Sequence, residues 1–481
     1  MHSGITVEDA KLRRRQLHRA SKKMRAADGK VQPFEPTSYF PIDKLPREVL
    51  AEIFVMCLPN LGLPEIKGSS SKRVAPLLLC NVCSSWRTVA RSIPRLWQRL
   101  FLVYSDTMPR TREEDNPTAL TDAWLQRSGR LPLTLSLRVT GSLLDGNPRD
   151  LHATAQALLF TLADYASRWE YVRLSWSFCP PILIPGLDDT PYLRSFNMIT
   201  SRPIMAPFPF SSCPKLTEIS WPYAFDVSSS RDMPWHQLTC LRLEHIMPLS
   251  EMLLLLKACP KLVELRIEVD DCTDEELPRK KVIKSHSLQM LHLTVYAKCE
   301  FLLERLTLPA LTDFSLDMED GFAWKYGVHK ELIRLFSRSK CKLDRLQLRD
   351  CNFDDALLLR CLQHPSCAFL TDLNIINMQH YPTVTDIVLA ALTEPITGES
   401  YALLPYLKRL SLEMCLDGSP GILGIMILSR CLLWDKEDQL TYLSLVENEI
   451  DGLDYLRIKL AEEGGLVTRL AQTMWTQGHI L

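Results

Sequence analysis

The sequence predicts an α/β solenoid, a parallel β-sheet with helices along one side, preceded by a block of three short helices. Three observations predict it. A unit of the form L-x-x-L-x-L recurs eleven times between Trp169 and Leu445. Helical stretches alternate with those units. A separate apolar pattern of helical period lies within residues 41–102, ahead of the repeats.

Residues 1–36 come first and stand apart. They hold nine Lys/Arg against four Asp/Glu, a local charge of +5 that leaves −6 on the remaining 445 residues. Leu12, Leu17 and Met24 make no apolar stripe, so the segment reads as a disordered basic tail. Nuclear import or contact with an acidic surface is the alternative reading.

Residues 37–102 read as a small helical domain. Pro46 suits a first helical turn, where its missing N–H costs nothing. Val49, Leu50, Ile53, Phe54, Cys57 and Leu58 then form one stripe until Pro59 and Asn60 stop it. A polar loop follows. A second helix is expected from Pro76 to about Cys83. A third is expected from a Ser84 or Ser85 cap, with Val82, Trp86, Val89, Ala90 and Ile93 on one side. Pro94 ends it, and Leu96, Trp97 and Leu100 follow.

Residues 103–165 read as a connecting segment and a cap on the solenoid. They contain a charged loop from Ser105 to Pro117, a helix from about Ala119 to Ser128, and an alternating strand at Leu133, Leu135 and Leu137.

The repeats occupy residues 166–481. Their apolar triplets begin at Trp169, Leu193, Leu216, Leu238, Leu262, Leu288, Leu311, Leu343, Leu370, Leu407 and Leu440. The first six spacings, 22 to 26 residues, match a leucine-rich repeat, and the later ones imply extra turns or longer helices on the outer side. Such repeats place Asn or Cys eight residues after the first Leu. Cys351, Cys415 and Asn448 stand there; Ser201, Ala224, Ile246, Asp270, Tyr296, Glu319 and Met378 stand there in other units. Helices are expected at Leu249–Ala258, Lys330–Arg338, Phe353–Gln363, Val384–Leu392 and Ile422–Leu433, with a C-terminal cap over Leu453–Leu470 that is helical apart from Gly464-Gly465. The whole is an irregular horseshoe with a parallel sheet.

The early block resembles a known family. Leu45-Pro46-x-Glu48-Val49-Leu50-x-x-Ile53-Phe54, then Val82-Cys83-x-x-Trp86-Arg87-x-x-Ala90, then Pro94-x-Leu96-Trp97 resembles the F-box, and the last group is similar to F-box proteins of mushroom-type fungi. The likeness covers residues 40–102, and the polar loop at 60–74 is longer than in compact members. It implies docking to a Skp-type adaptor and through it a cullin–RING ubiquitin ligase. The implied adaptor-binding residues are Leu45, Pro46, Val49, Leu50, Ile53, Phe54, Val82, Trp86, Pro94, Leu96 and Trp97.

Strand alternation sends the residues beside the buried Leu positions to a concave face. They are polar and of mixed sign, which suits protein recognition. Arg242, Glu244, Arg266, Glu268, Arg345 and Arg349 are the candidate target-binding residues. Arg242 and Arg266 are expected to pair sideways with Glu244 and Glu268, or with a target. The loop from Asp270 to Glu276, followed by Arg279 to Lys281, reads as a solvated excursion.

Other function classes are disfavoured. The chain contains no GxGxxG, GxxxxGK[ST], HExxH or GxSxG motif. No apolar run approaches the ~18 residues of a membrane span. A net charge of −1 and the lack of a continuous basic stripe argue against nucleic acid. Fifteen cysteines at irregular spacing, with no apolar leader, suggest buried thiols in a reducing intracellular compartment, cytoplasmic or nuclear. The lone Cys80-x-x-Cys83 pair is too few ligands for zinc. His245, His286, His292 and His329 read as surface or hydrogen-bonded core. No cofactor, metal or enzymatic activity is expected. The expected function is a substrate receptor of a ubiquitin ligase, with a non-degradative interaction scaffold as the alternative.

Overall fold

The computed structural model describes residues 45–59, 74–105, 117–141, 148–177, 189–200, 210–228, 230, 233–270, 282–296, 300–318, 327–351, 353–378, 383–393, 403–432, 439–471 and 474–476. The basic tail, the loops at 60–73 and 106–116, the charged excursion beyond Asp270, and Ser201 and Glu319 lie outside them. The chain divides into two compact units, Met1–Met56 and Cys57–Leu481, so the division falls inside the expected helical block.

The first unit contains helix α1, Arg47–Met56. The main-chain N–H of Leu50 bonds the Pro46 carbonyl at 3.1 Å, so the helix opens behind that proline. Leu50 and Phe54 are buried, whereas Val49, Ile53 and Met56 are exposed.

The second unit opens with two short helices, α2 (Leu77–Val82) and α3 (Ser84–Arg91). Cys83, not Ser84 or Ser85, caps α3. It is extended, and its sulfur accepts the Trp86 N–H at 3.4 Å. That gives one half of the Cys-x-x-Cys pair a local role. Of the expected α3 stripe only Ala90 is buried, and Val82 is exposed.

From Arg99 onward the unit is built on one main sheet, with three two-stranded sheets beside it among the described residues. Its strands are β1 (Arg99–Ser105), β2 (Leu133–Thr140), β3 (Trp169–Trp176), β4 (Ser195–Thr200), β5 (Glu218–Trp221), β6 (Cys240–Pro248) and β7 (Glu264–Asp270). They continue as β8 (Met290–Val295), β9 (Asp313–Met318), β10 (Arg345–Arg349), β11 (Asp372–Ile376), β12 (Arg409–Glu413), β13 (Tyr442–Val446) and β14 (Val467–Ala471). All fourteen lie side by side in chain order, and every pairing is parallel. The sheet therefore extends beyond the Leu repeat at both ends.

Helices fill the returns between strands: α4 (Pro117–Arg127), α5 (Pro148–Ala163), α6 (Leu249–Ala258), α7 (Glu300–Leu303), α8 (Val328–Ser339), α9 (Asp355–Leu362), α10 (Asp386–Leu392), α11 (Ile422–Leu432) and α12 (Gly452–Glu463). The C-terminal cap differs from the expected helix over Leu453–Leu470. Helix α12 ends at Glu463, Gly465 takes φ +108°, and the chain re-enters the sheet as β14.

Every apolar triplet position of the eleven repeats is 3 % exposed or less. Together with the helices they make one continuous core. Under β4 and β5 that core is aromatic: Phe196, Phe210, Trp221 and Tyr223 meet at centroid distances of 5.0 to 6.1 Å. Just ahead of each strand from β5 to β14 a main-chain N–H bonds the carbonyl one repeat earlier. The series runs from Thr217 to Arg194, through Thr239 to Thr217, to Val467 on Thr441, at 2.8 to 3.0 Å.

The turn positions carry side chains that bond the main chain. Asn448 donates to the carbonyls of Leu412 and Val446 and accepts the N–H groups of Cys415 and Leu416. Cys351 and Cys415 point their thiols at the carbonyls of Leu316 and Ile375. The residue before each is left-handed: Asp350 at φ 51°, Met414 at 53°, Glu447 at 52°. The repeat that starts at Leu370 departs from this. Met378 is exposed, and the buried turn residue is Asn377, one position earlier, bonded to Thr383 at 3.3 Å.

Candidate binding surface

Strand register settles which residues share the open face of the sheet. The middle row runs Phe101, Ser136, Arg173, Asn197, Ser220, Arg242, Arg266, His292, Ser315, Gln347, Asn374, Ser411, Ser444 and Arg469, each opposite the next. These residues, each between the second and third apolar positions of its unit from β4 to β13, are aligned without a slip. The row after it is interrupted: between Arg242 and Ile246 the register shifts, so Ile246, not Glu244, faces Glu268.

Arg242 is bidentate to Glu264, Nε to Oε1 at 2.7 Å and Nη2 to Oε2 at 3.0 Å. It therefore pairs with the acid one strand over and one row back, not with Glu244 or Glu268. Burial pushes the Glu264 carboxyl up, but the Arg242 hydrogen bonds and charge outweigh it and hold it below its usual value.

The same device recurs. Arg345 meets Asp313 at 2.8 Å, Arg349 meets Asp317 at 3.5 Å, and Arg409 meets Asp372 at 3.1 Å, each on an adjacent strand. Of the six expected target-binding residues, Arg242, Arg345 and Arg349 are thus occupied within the sheet. Such pairs between half-exposed side chains contribute ~0–1 kcal/mol each. Glu268 accepts the Tyr296 hydroxyl at 3.2 Å. Glu244 is half-buried, and burial raises its carboxyl, a rise that the Arg266 charge opposes and the Glu268 charge adds to. Arg266 is exposed and, among the described residues, makes no ion pair or side-chain hydrogen bond.

The expected adaptor-binding residues separate by burial. Leu45, Pro46, Val49, Ile53, Val82, Trp86 and Pro94 keep accessible surface. Leu50, Phe54, Leu96 and Trp97 do not. Trp97 is a packing centre instead. Its indole N–H donates to the Ala90 carbonyl at 2.9 Å, and its own carbonyl accepts the Trp124 indole at 2.9 Å. Trp124 meets it edge-on at 4.8 Å, and the Arg127 guanidinium lies 4.8 Å over its ring. The Pro94, Leu96 and Trp97 group thus ties α3 to α4 and to the start of the sheet.

Sequence reasoning missed Arg99, Arg138 and Arg173, which the register places on the open face of β1, β2 and β3. The signal was the buried alternation on β2, which extends the sheet ahead of the repeats. No protein-family model matches the chain, and no curated protein is similar to it.

Proposed function

We propose that the protein is a receptor that joins a target protein to a Skp-type adaptor and thereby to a cullin–RING ubiquitin ligase. Two separate parts support the reading. The ordered motif from Leu45 to Trp97 resembles the F-box, and Leu45, Pro46, Val49, Ile53, Val82, Trp86 and Pro94 retain surface for an adaptor. The open face of the fourteen-stranded sheet is a pre-aligned polar surface for a target. The observation that carries the reading is this combination, since one chain that holds both an adaptor and a target raises the effective concentration of target side chains. Action is by proximity, without chemistry on this chain, in the cytoplasm or nucleus. A scaffold that holds adaptor and target without ubiquitin transfer uses the same parts.

Affinity capture from cells tests it. The wild-type chain is expected to recover adaptor and cullin, and Leu45→Ala/Pro46→Ala to lose both while its melting temperature holds. Recovery of the adaptor without cullin favours the scaffold. Equal adaptor recovery by the double variant contradicts both.

A further inference from the structure

Positive charge on the open face has two arrangements. On β6 to β12, Arg242, Arg345, Arg349 and Arg409 each have an acid on a neighbouring strand. On β1 to β3 the open face presents Arg99, Arg138 and Arg173, and across β1 to β4 its register rows hold no Asp or Glu. Glu170, at the β3 irregularity, is taken by Arg194 at 3.0 Å. Arg99 and Arg173 have no ion-pair partner among the described residues. Among the described residues, Arg99 and Arg173 thus stand as cations of the ladder without its acids.

We propose that the β1–β3 end of the open face docks an extended acidic segment of a partner protein, whose Asp/Glu carboxylates pair with Arg99 and Arg173. The register sets the geometry. Arg99 and Arg173 lie two strands and one row apart, about 10 Å across the strands and about 7 Å along them. Acidic residues two to four apart in an extended chain span about 7–14 Å, which fits. Tyr171, 44 % exposed, shares the row of Arg99 and the strand of Arg173 and offers an apolar contact. Strand-borne arginines lose little freedom on binding, and the planar guanidinium takes a carboxylate through two bonds.

The neighbouring strands limit the ligand's length. Glu218, Glu244 and Glu268 follow on β5 to β7, where Arg266 has no ion pair among the described residues. A long polyanion such as a nucleic acid would run from the arginines into these carboxylates. A short acidic segment would not.

The inference rests on reading the open face as the docking side, and not on the adaptor. The purified full chain and a fluorescein-labelled peptide of alternating Glu and Ser test it by fluorescence anisotropy. Saturable binding that weakens as salt rises is expected. Arg99→Ser/Arg173→Ser should weaken it by about tenfold or more, and Arg242→Ser/Arg345→Ser by less than about twofold. Arg173→Lys should retain part of the affinity. Thermal melts of all variants check folding. Absence of saturable binding by the wild type overturns the inference, as does equal binding by Arg99→Ser/Arg173→Ser or equal affinity for a Lys/Ser peptide. Tighter binding of single-stranded DNA than of the acidic peptide overturns it too. Peptide binding without adaptor recovery leaves it standing while the ligase reading falls. Adaptor recovery without peptide binding sinks the inference alone.

Discussion

His245 is the residue whose environment departs furthest from expectation. It is 5 % exposed, lies edge-on to Phe225 at 5.2 Å, and neither ring nitrogen has a hydrogen-bond partner among the described residues. Burial lowers its pKa from 6.5 to about 4. The unfolded chain therefore takes up a proton near pH 6.5 that the folded chain refuses until about pH 4. Stability falls as pH drops through that window, by about 1.4 kcal/mol per unit and roughly 2 kcal/mol by pH 5. Denaturant unfolding at pH 7 and pH 5 checks this against His245→Leu, which should lack that loss; equal losses in both proteins contradict it. The thiols give a second reading at this scale. Burial raises Cys240, Cys259, Cys361 and Cys415 to about 12, whereas Cys57 and Cys83 are exposed. A thiol reagent followed by peptide mapping should label Cys57 and Cys83 in the native protein, and Cys361 and Cys415 only after unfolding. Early labelling of Cys361 or Cys415 refutes the burial assigned to them.

The turns and helix ends decide whether one element holds the next. Asn448 answers four main-chain groups across two repeats. Asn448→Ala leaves them unpaired in a buried place and should cost about 3 kcal/mol in denaturant unfolding, with less than about 1 kcal/mol contradicting the role. Arg430 is 3 % exposed and donates to the carbonyls of Leu392, Leu403 and Leu404 at 2.6 to 2.9 Å. Its charge sits at the C-terminus of α10, where the helix dipole favours a cation. Arg430→Met should destabilise by about 3–5 kcal/mol on the same measurement; a loss within error shows that the three carbonyls find other partners. Elements of this kind were legible in unequal measure. The strands β3 to β13 carry L-x-x-L-x-L, and helix α6 matched its expected bounds because apolar periodicity reports burial directly. Strand β1 did not read as a strand, since Phe101 and Val103 on its open face are as apolar as Leu100 and Leu102 behind them. Strand β14 lacks the triplet and follows a Gly pair, so it read as the tail of α12.

The molecule's open face shows what a single sequence leaves unspecified. The middle row was readable because every repeat counts from its own Leu. The partners of those residues were not, because cross-strand pairing depends on register shifts such as the one between Arg242 and Ile246. That shift separates Glu244 from Glu268, and Arg242 instead closes on Glu264. Arg345 and Arg349 close on Asp313 and Asp317 in an unshifted register, so three of the six expected target contacts are satisfied within the sheet, and among the described residues Arg266, Arg99 and Arg173 are left without an ion pair. Leu96 and Trp97 belong to the expected adaptor motif but are buried in packing, since burial cannot be told from a partner's contact by motif alone. Whether this one chain carries an adaptor decides its function. The most direct measurement is size-exclusion chromatography with light scattering on the purified full chain mixed with a Skp-type adaptor. A one-to-one complex with the wild type, lost in Leu45→Ala/Pro46→Ala, is the predicted result. Two separate peaks with the wild type, or an undiminished complex with the double variant, would contradict it.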